Sequence, residues 1–224
     1  MFMNDSVSSL GAPGESSPGD SAAVRMLTGD ERALAEFFAE HRPRLNRMVQ
    51  FRLDARLRGR IDADDVLQEA YVDAARRLEA FRAAQPMSAF VWLRLIVGQT
   101  LIDFHRRHVG AQMRDAGREQ SIQARLADGT SPSMSFQLMG RMSSPSQAVQ
   151  RAELTSLVTA ALDDMNETDR EVLALRHFEE LTNKETAEVL GIEPKAASIR
   201  YVRALEKLKQ ILKQVPGFFD ASEI

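Results

Sequence analysis

The stretch from residue 147 to residue 215 carries its helix boundaries in capping chemistry, and the spacing leaves that segment little choice of fold. Thr168 with Glu171 and Thr182 with Glu185 both have capping-box separation, in which hydroxyl and carboxylate each satisfy a backbone donor that a helix start leaves open. Gly191 follows the run Asn183 to Leu190 and can supply the left-handed residue that ends a helix, while Pro194 suits the first turn of the next. The pattern predicts a short helix, a tight turn at Gly191-Ile192 and a long helix from about Pro194 to Lys213. That is helix-turn-helix spacing.

In the long helix Ala197, Tyr201, Ala204, Leu205, Leu208 and Leu212 recur in steps of three and four and define the buried stripe. The opposite face holds Lys195, Ala196, Ile199, Val202, Arg203 and Glu206, flanked by Ser198 and Arg200. Cations there can reach phosphates or guanine edges, and aliphatics can touch thymine methyl groups. The DNA-binding candidates are therefore Lys195, Ala196, Ser198, Ile199, Arg200, Val202 and Arg203.

The rest of the chain reads as helix as well. Aromatics are 6% of residues, and Ala, Leu, Arg and Glu recur with few β-branched runs. The expectation is an all-α protein of two small helical domains joined by a flexible linker. Residues 1–21 are rich in Ser, Gly and Pro and read as a flexible leader; 22–109 form a first domain of about four helices, broken at Gly29, Gly59 and Gln85-Pro86. Residues 110–146 read as linker with a weak amphipathic piece around Ile122 to Leu126, 147–215 as the helix-turn-helix domain, and 216–224 as a tail.

Several functions are excluded or disfavoured. Absence of Cys removes disulfides and thiolate chemistry, and the four His (His41, His105, His108, His177) form no ligand set, so neither metal nor cofactor is expected. No nucleophile or paired-carboxylate arrangement stands out, so the chain is not expected to be an enzyme. Lacking a signal-type N-terminus and any long apolar run, it is expected to be cytoplasmic, with no membrane span. The net charge of -3 hides local patches: residues 42–60 carry Arg42, Arg44, Arg47, Arg52, Arg56, Arg58 and Arg60 against Asp54 alone, before the sign flips at Asp62, Asp64 and Asp65.

From that flip runs DADDVLQEAYVDAARRLEAF, residues 62–81. Asp62 is placed to cap a helix, with Asp64 and Asp65 in its first turn, where the helix dipole favours carboxylates. Val66, Ala70, Ala74 and Leu78 can face inward, leaving Asp65, Gln68 and Glu69 together on an outward polar face. A second long helix, SAFVWLRLIVGQTLIDFHRR (residues 88–107), offers Phe90, Leu93, Val97, Leu101 and Phe104 to the core and ends in Arg106 and Arg107.

These segments resemble the sigma-70 family of RNA polymerase specificity subunits. LTNKETAEVLGIEPKAASIRYVRALEKLKQIL resembles its region-four helix-turn-helix, which implies reading of the minus-thirty-five promoter element; response-regulator output domains share that motif. The first domain separates the two: Asp62, Asp65, Gln68, Glu69 and Tyr71 match the region 2.2 pattern DxxDxxQExF/Y, which implies docking on the β′ clamp helices of core RNA polymerase, with region four reaching the β flap. WLRLI, Asp103 and Arg106-Arg107 match regions 2.3 and 2.4, with Gln99 where the family has Asn. The resemblance implies minus-ten recognition and melting through Phe81, Arg82, Gln85, Gln99, Asp103, Arg106 and Arg107, the segment 81–87 being the loop that holds the flipped base. No region-three domain is recognisable, which points to the extracytoplasmic-function group, whose members are often held by an anti-sigma factor. The competing reading is a one-component helix-turn-helix regulator that acts as a dimer on a palindromic operator, without polymerase.

Overall fold

A computed structural model describes residues 18–28, 30, 32–53, 61–109, 130–140 and 148–215. No strand occurs among them. The helices are α1 (Pro18–Leu27), α2 (Ala33–Arg52), α3 (Ala63–Ala84), α4 (Ala89–Val109), α5 (Thr130–Gly140), α6 (Ala148–Asp163), α7 (Glu167–Leu173), a π-helical turn (Ala174–Phe178), α8 (Asn183–Leu190) and α9 (Pro194–Lys213). None is long and apolar enough to cross a membrane.

The chain divides into two compact units, residues 1–40 and 41–224. In the smaller, α1 begins at Pro18, inside the segment read as leader, and Arg25 pairs with Asp30 at 3.5 Å and with Glu36. The larger unit holds both segments expected to be separate domains.

Asp62 caps α3, its carboxylate accepting from the Asp64 N–H at 3.0 Å, and Arg42 reaches Asp64 at 3.0 Å. Val66, Leu67, Ala70, Ala74, Leu78 and Phe81 form the buried face of α3. It packs against α4, whose Phe90, Leu93, Val97 and Leu101 are buried. Phe104, expected in the core, is only partly covered and lies beneath the Arg107 guanidinium at 4.4 Å. Helix α3 runs to Ala84, so Phe81 and Arg82 belong to its last turn and the connecting loop is shorter than the expected 81–87.

The linker expectation fails over residues 130–140, which form α5. Met134, Leu138 and Met139 enter one core with Leu154, Val158 and Leu162 of α6 and Ala204, Leu208 and Ile211 of α9. Of the buried serines that made this stretch look like linker, Ser135 satisfies its hydroxyl locally, donating to the Ser131 carbonyl at 2.8 Å and accepting from Thr159 at 2.8 Å. Ile122 to Leu126 lie outside the described residues.

The expected capping box at Thr168 is also replaced. Asn166 caps α7, accepting from the N–H groups of Thr168 and Asp169, because Glu171 is drawn inward by Arg52 and Thr130. The box at Thr182 and Glu185 forms as expected, and Gly191 ends α8 at φ 62°.

Candidate nucleic-acid and protein interfaces

The helix-turn-helix is positioned by the buried stripe of α9. Ala197, Ala204, Leu208, Ile211 and Leu212 are buried and Tyr201 and Leu205 partly so, which turns Lys195, Ser198, Ile199, Val202, Arg203 and Glu206 to solvent. Ile199 is 51% exposed and Val202 57%, two aliphatics on a face that water alone does not reward. Ala196 is half-buried beside them. Arg200 is held differently from its neighbours: its Nη1 donates to Asp169 Oδ1 at 2.7 Å, and Asp169 is almost fully buried. Arg203 lies 3.9 Å from the other Asp169 oxygen with most of its side chain in solvent. The outward face thus presents Lys195 and Arg203 around an aliphatic centre, with Arg200 tied back against α7.

The cap residue Asp62 and, on α3, Asp65, Gln68 and Glu69 are all exposed. Val72 continues their stripe at the next helical step and is 47% exposed, so the acidic face ends on a bare aliphatic. That residue was legible in the spacing and was missed. Glu69 accepts from Arg107 Nη2 at 3.0 and 2.9 Å, both side chains about half exposed. A pair in that setting contributes about 0–1 kcal/mol, so it can be exchanged for outside partners at little cost.

The minus-ten candidates fall into two groups. Along the outer side of α4, Gln99 Nε2 donates to both Asp103 oxygens at 3.1 Å, and Asp103 pairs with Arg106 at 3.4 Å. This string of one amide, one carboxylate and one guanidinium presents alternating donors and acceptors. At the α3–α4 turn Phe81 is buried and stacked on Trp92 at 4.2 Å and 10°, so it shapes the turn from beneath and offers no open face. Above it, exposed Gln85 adopts φ 39°, a left-handed helix end, and donates from Nε2 to the Arg82 carbonyl at 3.3 Å. Arg82 stands half-buried beside it.

The family model described as Sigma-70 region 2 matches residues 37–110, and that described as Sigma-70, region 4 matches residues 156–208. The ECF RNA polymerase sigma factor SigD of Mycobacterium tuberculosis is 27% identical over 191 residues, covering 85% of this chain and 82% of its own. RNA polymerase sigma factor CarQ of Myxococcus xanthus is 28% identical over 196 residues, covering 85% and 95%. The chain belongs to the sigma-70 family, in its extracytoplasmic-function group. The solved structure of CnrH in complex with the cytosolic domain of CnrY aligns at TM-score 0.47 and 22% identity, covering 86% of this chain and 96% of that one. In this sigma factor the acidic face of α3 and the outer side of α4 fall in the region 2 match, and most of the outward face of α9 in the region 4 match. Asp169, which also falls in the latter match, was invisible in the sequence because its partner Arg200 lies 31 residues away.

Proposed function

We propose that this sigma factor docks on core RNA polymerase through Asp62, Asp65, Gln68, Glu69 and Val72, and recognises promoter DNA at two separated elements. The observation that carries the reading is the coexistence of two exposed surfaces of opposite character. One is an acidic stripe closed by Val72; the other is an aliphatic centre at Ile199 and Val202 flanked by Lys195 and Arg203. Acidic side chains suit a basic protein face and are repelled by phosphate, whereas the α9 face suits a major groove.

The minus-ten element is assigned to the turn after α3 and the outer side of α4. Arg82, Arg106 and Arg107 supply phosphate contacts, and Gln85 and Gln99 supply amides for base edges exposed on strand separation. Asp103 orients Gln99 and Arg106, and the Phe81–Trp92 stack gives the turn a rigid floor. The minus-thirty-five element is assigned to Lys195, Ala196, Ser198, Ile199, Val202 and Arg203, with Arg200 restrained by Asp169. Neither contact has to be strong by itself, since tethering both to one polymerase raises the effective concentration of the second. A one-component dimeric regulator accounts for the helix-turn-helix and leaves the region 2 match over residues 37–110 without a role.

Capture of purified core RNA polymerase by the chain tests the reading, comparing wild type with the Asp65→Arg, Glu69→Arg double variant at moderate salt. Both residues are exposed on α3, so the variant keeps its fold and capture falls at least about tenfold, the cost of setting like charges face to face. Equal capture by the two proteins moves the docking surface off α3; no capture by wild type overturns the polymerase reading itself.

A further inference from the structure

Helix α9 packs along α7, and one carboxylate sits between them. Asp169, in the first turn of α7, is only 6% exposed, and its backbone N–H donates to Asn166 Oδ1 at 3.3 Å. Its two carboxylate oxygens face different arginines of α9. Oδ1 accepts from Arg200 Nη1 at 2.7 Å, while Oδ2 lies 3.9 Å from Arg203 Nη1, at the limit of an ion pair. Exposure follows the same order: the Arg200 side chain keeps 34% of its surface in water and that of Arg203 65%. The two arginines are neighbours at i and i+3 on α9, so a single anion is within reach of both.

A carboxylate this far from water is costly unless a cation answers it. One guanidinium is enough. Once Arg200 has taken Asp169 the pair is neutral, and Arg203 carries the only net charge of the three. Arg203 gains little from a loose contact to an anion already neutralised, so it is available to phosphate or to a guanine edge. Without Arg200 the balance reverses. The buried carboxylate is then left without its cation, and a movement of about 1 Å brings the Arg203 guanidinium to hydrogen-bond distance. A phosphate at the surface, screened by water and salt, does not compete with a desolvated carboxylate.

We propose that Asp169 and Arg200 are positioning residues for promoter recognition: Arg200 occupies the buried carboxylate so that Arg203 is the arginine of this edge of α9 that meets DNA. The inference rests on the assignment of the outward face of α9 to the minus-thirty-five element. It separates two arginines that spacing on the helix does not distinguish, by the neighbour each finds on α7. It also gives Asp169 a part in binding although the residue itself touches no DNA.

Binding of the holoenzyme to promoter fragments with and without the minus-thirty-five element, followed as a function of salt, tests the assignment. Arg203→Ala is expected to weaken binding about tenfold on the fragment that carries the element, and to lower the slope of log affinity against log salt by about 1. Arg200→Ala is expected to do the same, because it sends Arg203 to Asp169. Adding Asp169→Asn to Arg200→Ala removes the anion that captures Arg203, and is expected to bring affinity and slope back to within about twofold of wild type. This rescue separates the proposal from its alternatives. If Arg200 touches DNA itself, removing Asp169 restores nothing; if Arg200 only fastens α9 to α7, the double variant, which has no ion pair left, binds no better than Arg200→Ala. Either result overturns the proposal. Should Arg200→Ala alone lose its helical circular dichroism, the double variant is compared with wild type and with its own Arg203→Ala derivative. Wild-type slope in the double variant and an about tenfold loss on adding Arg203→Ala are then expected, and a lowered slope in the double variant overturns the proposal. A wild-type holoenzyme that binds both fragments equally would instead sink the minus-thirty-five reading of α9, and this inference with it.

Discussion

Single side chains on α9 divide between holding the domain and facing outward, and Val202 shows the division best. At 57% exposure it contributes little to stability, and its truncation belongs among surface changes within about 0.5 kcal/mol. In a major groove the same two methyl groups would be removed from water, worth about 1.5 kcal/mol or roughly tenfold in affinity. Val202→Ala is therefore expected to leave the thermal midpoint unchanged while weakening holoenzyme binding about tenfold on promoters that carry the minus-thirty-five element. Promoters lacking that element should not distinguish the two proteins. A loss of the same size on both promoter types would mean that the face does not read DNA. Arg200 has the opposite profile, since its bond to buried Asp169 makes it part of the scaffold that positions the outward face of α9.

Elements whose signals are local were legible, and those settled by distant partners were not. Thr182, Glu185, Gly191 and Pro194 act on backbone within four residues, so α8, the turn and α9 stand where the spacing put them. Asp62 and the inward positions of α3 are of the same kind. Glu171 has the capping-box spacing too, but Arg52, 119 residues away, outbids a local backbone donor. The exposed faces of α3 and α9 follow from periodicity alone, whereas the restraint on Arg200 and the burial of Phe51 depend on chain-distant packing. Helix α5 escaped because its composition is that of a linker; Ser131, Ser133 and Ser135 can be buried only once Met134, Leu138 and Met139 have a core to enter. Met134 is fully buried there, so Met134→Ala is expected to lower stability by about 2–5 kcal/mol in chemical denaturation. A true linker residue would cost nothing measurable.

At the scale of the molecule, the buried ion set of Arg52, Arg94, Glu171 and Glu179 makes stability depend on acid. Burial pushes the Glu179 carboxyl upward, but the charges of Arg94 and Arg52 outweigh it and hold the group below its ordinary 4.5. Burial likewise opposes the charge on Arg52, and Glu171 and Glu179 overcome it, so that guanidinium stays protonated at every working pH. A carboxylate whose folded value lies below its unfolded one binds fewer protons when folded. Its contribution is therefore fully present above about pH 4.5 and is lost as pH falls through the folded value. Glu185 behaves in the same sense, burial being outweighed by Arg44 and by the Thr182 N–H. Other carboxylates titrate in the same range, so the informative quantity is the difference in thermal midpoint between wild type and Glu179→Gln. That difference is expected to be constant from about pH 8 to about pH 5 and to shrink below about pH 4.5, as wild-type Glu179 becomes neutral like its replacement. A gap that stays constant down to about pH 3 would mean that Glu179 binds its proton equally well in the folded and the unfolded chain, so that Arg94 and Arg52 give its charged form no net stabilisation.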